Sequence, residues 1–417
     1  MNIDNKTQEF NEIEKKPFLF QGTEDLLEKF VKNEERKSKI KTILLDLFNV
    51  KNLNFLFGAG TSNGAIPTMT ALQKQVEKTL NKDEKKIFEK IGKKNLEEIL
   101  EILYSGKTYL KNNPQDKDSG ELEILQGLIE KIKSTIFNAI NIKIDFECKD
   151  ETKQEVFCNY ENFYKKVTYR NKDLNRVNVF TTNNDLFNER VLDYLNIDYN
   201  NGFGGGLSRS FNPARFEYIF SKKMDEGIEK YEPLNHMIYL YKLHGSINWV
   251  EAQGHNSFFN IQEINLDSQG KKSYEKCLIY PTPLKEGKSL TSPYTDLIRE
   301  FQKKLSLPNS VLFIIGYSFS DEHINTIIYR ALASNNSLSI VIFADKDKLR
   351  EIPLFKINDK RIYIIYGEDE GEKIHYFNYF TQKLIPDPKQ DDEDEINKRF
   401  LEMLKEETRK QECLLEK

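Results

Sequence analysis

The sequence predicts an α/β fold built on a doubly wound parallel sheet, and three observations carry that expectation. Short apolar runs rich in β-branched and aromatic residues recur at Asn54 to Phe57, Val177 to Phe180, Met237 to Leu243, Val311 to Ile315, Ser339 to Phe343 and Arg361 to Tyr366. Helical patterns separate several of them, at Glu189 to Leu195, Asp321 to Ala333 and Ile374 to Leu384. Strands alternating with helices at this spacing need crossover connections, which produce a parallel sheet covered on both faces. Finally, four of the strand runs end in a short block of glycine, hydroxyl, amide or imidazole residues, which places those blocks at the sheet edge where ligands bind.

Taken in order, residues 1 to 20 are polar until Phe18, Leu19 and Phe20, a pattern that fits either an arm docking on a neighbour or a frayed terminus. From 24 to 49, Ile40, Ile43, Leu44, Leu47 and Phe48 recur at three and four and mark an amphipathic helix leading into the first strand. After Pro67 the chain turns helical, with stripes at Leu72, Val76 and Leu80, at Leu96, Ile99, Leu100 and Leu103, and at Leu125, Leu128, Ile129, Ile132 and Ile136. The polar stretch 106 to 120 interrupts this periodicity and reads as an exposed loop. Segments 201 to 222 and 251 to 276 read as excursions covering one end of the sheet. Beyond Pro386 and Pro388, an acidic run precedes Ile396, Phe400, Met403 and Leu404 at helical spacing, as expected of a capped terminal helix. The expected division is an arm and helix over 1–49, a nucleotide-binding domain over 50–67 and 171–385, a helical insertion over 68–170 and a charged helix or tail over 386–417.

Composition narrows the function classes. Lys plus Arg number 62 against 66 Asp plus Glu, a formal net charge of -4, so the chain as a whole offers no attraction to nucleic acid or anionic membrane. The start of the chain lacks the basic and apolar regions of a signal peptide, and no apolar run approaches about 20 residues, which predicts a cytoplasmic protein. Cysteines at 148, 158, 277 and 413 form no Cys-x-x-Cys pair, so neither a zinc ribbon nor a disulfide framework is expected, and no metal site is assigned.

Four blocks carry the chemistry. In Phe57-Gly58-Ala59-Gly60-Thr61-Ser62, two glycines bracket a tight strand-to-helix turn where backbone N–H groups can approach a phosphate closely, with Thr61 and Ser62 supplying hydroxyls. Ser62 also suits a helix N-cap. In Thr181-Thr182-Asn183-Asn184-Asp185, Asn183 and Asp185 end the second strand, although this composition is also common in turns and caps. His244 follows a strand with Gly245 behind it, as a packed, capping or catalytic imidazole would. Gly316 and Ser318 repeat the glycine-then-hydroxyl design of the first block. Asp345, ending the strand 339 to 343, is placed like the acidic residue that holds a ribose hydroxyl in dinucleotide folds.

Together these blocks resemble the sirtuin family over roughly residues 50 to 350. Gly58-Ala59-Gly60-Thr61-Ser62 with Ala65-Ile66-Pro67 is similar to the family's Gly-Ala-Gly-x-Ser and Gly-Ile-Pro segment. Thr182-Asn183-Asn184-Asp185 is similar to its Gln-Asn-Ile-Asp, Leu243-His244-Gly245-Ser246 to its catalytic His-Gly, and Gly316-Tyr317-Ser318 to its NAD-contacting Gly-Thr-Ser. The resemblance implies a Rossmann-like sheet and NAD as the substrate. It departs from the protein deacylases in three ways: the span from Gly60 to Pro67 is one residue shorter, Thr68-Met69-Thr70 replaces the Phe-Arg after their Pro, and the zinc ribbon is missing. Those losses favour water over acyl-lysine as the acceptor. The motifs look most like bacterial sirtuin-like effectors of phage defence, and the chain's size resembles the form encoded beside a HerA-like ATPase.

The resemblance therefore implies an NAD glycohydrolase that depletes NAD in infected cells, working as a homo-oligomer with a HerA-like partner and with no sequence-specific nucleic-acid contact of its own. Asn183 would orient the nicotinamide ribose or the attacking water, and His244 would act as general base. The Gly58 to Ser62 turn would hold the pyrophosphate, Gly316 and Ser318 the adenosine half, Asp185 the nicotinamide or ribose side, and Asp345 a ribose hydroxyl. Alternatives are an NAD-dependent protein deacylase, or a non-catalytic NAD or ADP-ribose sensor within a DNA-processing complex. The apolar residues near both ends are expected to serve assembly.

Overall fold

A computed structural model describes residues 16–92, 96–112, 120–142, 150–171, 173–224, 230–234, 236–251, 261–266 and 292–385. The expected C-terminal helix at 386–417, residues 113–119 of the loop expected over 106 to 120 and most of the excursion 251 to 276 lie outside the described residues.

The main sheet comprises β1 (Pro17–Gln21), β2 (Glu24–Asp25), β3 (Asn52–Phe57), β4 (Val177–Thr181), β5 (Asp198–Asn200), β6 (Met237–Lys242), β7 (Ser310–Ile315), β8 (Leu338–Phe343) and β9 (Ile362–Asp369). Their spatial order is β2-β1-β9-β8-β7-β3-β4-β6-β5, with Glu372–Lys373 pairing on β9. From β9 to β5 every neighbouring pair is parallel. β3, β4, β6 and β7 are buried at every position, as expected of parallel strands covered on both faces.

Helices cover the two faces. α1 (Asn33–Phe48) leads into β3, and α2 (Met69–Thr79), α3 (Lys82–Ile91), α4 (Leu96–Asn112), α5 (Glu121–Ile140) and α6 (Glu151–Val167) separate β3 from β4. α7 (Phe187–Tyr194) follows β4, α8 (Tyr294–Leu305) precedes β7 and α9 (Glu322–Ser334) follows it. Alternation along the strands feeds two cores. Phe55, Phe57, Val179, Phe313 and Ile315 face α1, α6 and α7, while Leu56, Phe180, Leu312 and Ile314 face α8 and α9. From α2 to α5 a separate core forms around Leu72, Val76, Leu96, Ile99, Leu100, Leu103, Leu128, Ile129 and Ile132, the residues whose spacing marks the helical stripes. α6 leaves that bundle and packs Tyr160, Phe163 and Tyr164 into the sheet core.

Three expectations are corrected. Residues 106–112, expected within the exposed loop 106 to 120, are the last turns of α4. Phe18, Leu19 and Phe20 are neither an arm nor a frayed end, because β1 pairs antiparallel with β9, Leu19 opposite Ile365, and Leu19 is buried. The helix expected over 374 to 384 is a single α turn at Phe377–Tyr379 followed by a π turn at Phe380–Leu384.

The chain runs β3, β4, β6 toward one edge and then returns to lay β7, β8 and β9 on the other side of β3. The reversal of strand order falls between β3 and β7, and in open α/β sheets the crevice at such a switch point is where ligands bind.

Candidate functional site

Strand register lines up the ends. Phe343 lies level with Ile365, Ile315 with Phe57, Phe57 with Thr181, and Lys242 with Thr181. The residues after this row are Gly58, Asn183, His244 and Gly316, so four blocks far apart in sequence leave the sheet at one level. Side-chain and backbone contacts then join them into a closed ring.

The first link is between the two glycine turns. Gly58 N donates to Ile315 O at 3.0 Å and Gly60 N to Gly316 O at 2.9 Å. A Cβ on Gly58 would lie 2.5 Å from Gly316 O, one on Gly60 would lie 2.6 Å from Gly316 Cα, and one on Gly316 would lie 2.6 Å from Thr61 N. Gly316 also sits at φ +65. The glycines are thus required by backbone meeting backbone, which no side chain survives.

This corrects the expected phosphate cradle in its details. Residues Ala59–Ser62 form a 3-10 turn, and the next helix begins only at Met69, so no long helix points its N-terminus at the turn. The N–H groups of Gly58, Gly60 and Thr61 are spent on Ile315, Gly316 and Gly58 carbonyls. What remains on the surface is the tip at Ala59 and Gly60. Ser62 is no helix N-cap either; it closes the turn and faces inward.

Asn183, Asn184 and Asp185 form the second link, each bonding in a different direction. Asn183 Nδ2 donates to Thr61 Oγ1 at 3.1 Å and to Ser62 Oγ at 3.3 Å. Among the described residues its Oδ1 accepts nothing, so the amide oxygen is the atom left for a ligand. Asn184, in the amide orientation that satisfies both ends, donates from Nδ2 to the carbonyl oxygens of His244 and Gly245 at 3.0 Å each, and its own carbonyl accepts from Ile247 N at 3.1 Å. Asp185, expected on the nicotinamide or ribose side, has its carboxylate turned inward. Its Oδ2 accepts from Ser62 Oγ at 2.8 Å, its Oδ1 from Phe187 N at 3.1 Å, and the residue is buried.

Burial pushes the Asp185 carboxyl above the usual aspartate range, against the pull of Lys242 and of its two hydrogen bonds. A carboxyl raised in the fold holds its proton more firmly there than in the unfolded chain, so its favourable contribution is present at low pH and is lost as pH rises through the raised value. The stability of wild type relative to Asp185→Asn is therefore expected to fall with rising pH across that window, read from urea midpoints at a series of pH values.

Sequence reasoning missed Tyr160, which α6 delivers to this cluster. Its hydroxyl lies 2.7 Å from Thr61 Oγ1 and 3.2 Å from Ser62 Oγ, and its ring stacks on Phe187 at 5.5 Å. Ser62 already donates to Asp185 and Thr61 to Gly58 O at 2.9 Å, so the Tyr160 hydroxyl is the donor toward Thr61. Burial and the neighbouring Asp185 raise its pKa, keeping the phenol protonated. Tyr160→Phe is expected to cost about 0.5–1.5 kcal/mol, the net worth of its hydrogen bond to Thr61, which keeps Gly58 O and Asn183 Nδ2 as partners, read as a lower urea midpoint.

His244 and Gly316 close the ring. His244 Nε2 lies 2.8 Å from Asp321 Oδ2, with both side chains about a quarter exposed. Gly245 takes φ +86, which lets the chain turn sharply behind the imidazole. Beneath it, buried Lys242 binds Asp185 O, Ser246 Oγ at 2.8 Å and Glu189 at 2.9 Å, tying β6 to the start of α7. Asp321, six residues after Ile315, completes the path back to Gly316. It is the N-cap of α9, the helix expected from Asp321 to Ala333.

Two expected residues lie outside the ring. Ser318 is exposed and pairs with Ser320 Oγ at 2.9 Å. Asp345 stands one strand farther out, where it caps the turn Lys346–Glu351 through Asp347 N, and His375 Nε2 is 3.9 Å away. Among the described residues no group of three or more His, Cys, Asp or Glu is placed to hold a metal ion, and no helix is long and apolar enough to cross a membrane.

Residues 177–365 match the family model of the SIR2-like domain, so this region of the chain is sirtuin-like. The match takes in Asn183, His244, Gly316 and Asp321, whereas the Gly58 to Ser62 turn and Tyr160 lie before it. No curated protein sequence matches the chain. Among solved structures, a mutant Sir2 homologue in complex with 2'-O-acetyl ADP-ribose is similar at 15% identity over 83% of this chain and 94% of that chain, with a TM-score of 0.36. A second mutant Sir2 homologue, in complex with ADP-ribose, is similar at 13% identity over the same shares, with a TM-score of 0.37.

Proposed function

We propose that this chain hydrolyses NAD at the bond between nicotinamide and ribose, releasing nicotinamide and ADP-ribose. The observation that carries the reading is the path of contacts from Gly316 through the Gly58 turn, Asn183 and Asn184 to His244 and Asp321, which the chain from 316 to 321 closes into a ring. It brings an exposed backbone tip, an amide oxygen that accepts nothing among the described residues and a part-exposed imidazole to one edge of the sheet, where strand order reverses. Breaking the glycosidic bond sends its electron pair to nicotinamide and leaves positive charge on the sugar. Water then adds to the sugar and must lose a proton, and the His244 imidazole is the base in the ring that would take it.

In this reading the Ala59 and Gly60 tip and Gly316 hold the pyrophosphate and adenosine side, with Ser318 at its margin and Asp345 farther along the same edge. Asn183 uses its amide oxygen on the ribose or the water. Asp185 works indirectly by fixing Ser62 and the start of α7. Water is favoured over acyl-lysine because the four cysteines show no zinc-ribbon spacing and the segment after Pro67 is Thr68-Met69-Thr70.

We place this activity in antiphage defence, carried out by a homo-oligomer with a HerA-like ATPase, on the strength of the Tyr241-Lys242-Leu243-His244-Gly245-Ser246 and Gly316-Tyr317-Ser318-Phe319 motifs with Asp321. The test is to incubate the purified chain with NAD, alone and then with its neighbouring ATPase and DNA, and to follow nicotinamide and ADP-ribose. Stoichiometric release of both in at least one setting supports hydrolysis. Acceleration by an acetyl-lysine peptide would assign the deacylase reaction instead, and tight binding without turnover in every setting would make the pocket a sensor.

A further inference from the structure

We infer that Asp321 is a positioning residue that holds the His244 imidazole in the tautomer with its proton on Nε2, so that Nδ1 is the nitrogen that accepts the proton from water. The inference deepens the hydrolase reading and rests on it for the role of His244. Its geometry stands separately. Asp321 Oδ2 is 2.8 Å from His244 Nε2, while Oδ1 accepts from His323 N and Ile324 N at 3.1 Å each. One carboxylate oxygen is thereby committed to the start of α9 and the other to the imidazole. An ionised carboxylate can only accept, so the ring nitrogen that meets it must carry a proton, and a neutral imidazole then has its lone pair on the other nitrogen.

Both partners are anchored by backbone. The loop bearing Asp321 is clamped by Asn325, whose Nδ2 donates to Phe319 O at 2.8 Å and whose Oδ1 accepts from Tyr317 OH at 3.1 Å. The clamp sustains Phe319 at φ +58, a left-handed conformation unusual for a bulky residue and held only where surroundings enforce it. On the other side, Asn184 holds the carbonyls of His244 and Gly245. The hydrogen bond thus spans two fixed elements, β6 and α9, and orients the ring between them. The other His–Asp contact at this edge, His375 with Asp345, is 3.9 Å long and too far to set a tautomer.

Asp321→Asn is the discriminating variant. The α9 amides still require an oxygen from residue 321, so the new NH2 group faces His244 Nε2 and imposes the opposite tautomer. Asn remains a good N-cap, so the fold is kept. In serine hydrolases the same carboxylate-to-amide change leaves geometry intact yet lowers kcat by about 10⁴.

The experiment uses full-length protein labelled with ¹⁵N-histidine and long-range proton–nitrogen correlation spectra at alkaline pH, alongside kcat and KM for NAD. The expected result is an Nε2–H pattern for His244 in wild type and an Nδ1–H pattern in Asp321→Asn, with His375 unchanged as an internal control. kcat should fall by about 10²-fold or more while KM stays within about twofold. Asp321→Ser, which keeps a cap but has no carboxylate, should give a mixed pattern and a similar fall in kcat. The same His244 pattern in wild type and both variants, or kcat within about threefold of wild type, would overturn the inference. Should wild type show no NAD turnover in any setting, the hydrolase reading fails, and the spectra still decide the tautomer.

Discussion

His244→Ala is expected to slow nicotinamide release from NAD by about 10²- to 10⁴-fold, the range that a positioned general base supplies. Its stability should change little. The imidazole is part-exposed and its side chain meets Asp321, while the bonds from Asn184 go to main-chain carbonyls that alanine retains. A melting temperature close to wild type with activity nearly abolished therefore separates chemistry from folding. Asn183→Ala is a less clean probe, because removing its Nδ2 takes one hydrogen bond from each of the buried Thr61 and Ser62 hydroxyls and lowers stability as well. A folded His244→Ala protein that still releases nicotinamide at near wild-type rate would remove this residue from the reaction.

The second large effect is structural. Gly316→Ala would put a methyl group 2.6 Å from Thr61 N and 2.8 Å from Gly60 Cα, at a φ of +65 that alanine disfavours. Both neighbours are backbone atoms of a turn held by hydrogen bonds from Gly58 and Gly60, so neither yields cheaply. Overpacking costs about 1–3 kcal/mol and a left-handed non-glycine residue a similar amount, so a loss of about 2–6 kcal/mol is expected in urea unfolding. Gly206→Ala is the control, since a Cβ there meets nothing within 4 Å. Equal stability for the two variants would show that the turns do not interlock as described.

Much of this site was legible in the sequence because its residues follow apolar runs. A run that must be buried on both faces fixes where a parallel strand ends, and Gly58, Asn183, His244 and Gly316 were placed by that rule alone. Direction was not legible. Nothing local to Asp185 says that its carboxylate turns back to Ser62, 123 positions earlier, and away from the crevice. Tyr160 lies in an aromatic helical stripe, where a tyrosine reads as core until the partner of its hydroxyl is known. Phe18 to Phe20 read as a docking arm or a frayed end because their partner strand is β9, more than three hundred residues downstream. The pairing of His244 with Asp321 was hidden for the same reason, since in the sequence Asp321 marks the start of a helical pattern and gives no sign of that partner.

The row of aligned strand ends has a consequence for biosynthesis. The ring draws on residues from Gly58 to Asp321 and on strands that flank one another out of chain order, so no shorter stretch emerging from the ribosome holds a usable pocket. The site is completed in one step, late in translation, once β7 has slotted in beside β3.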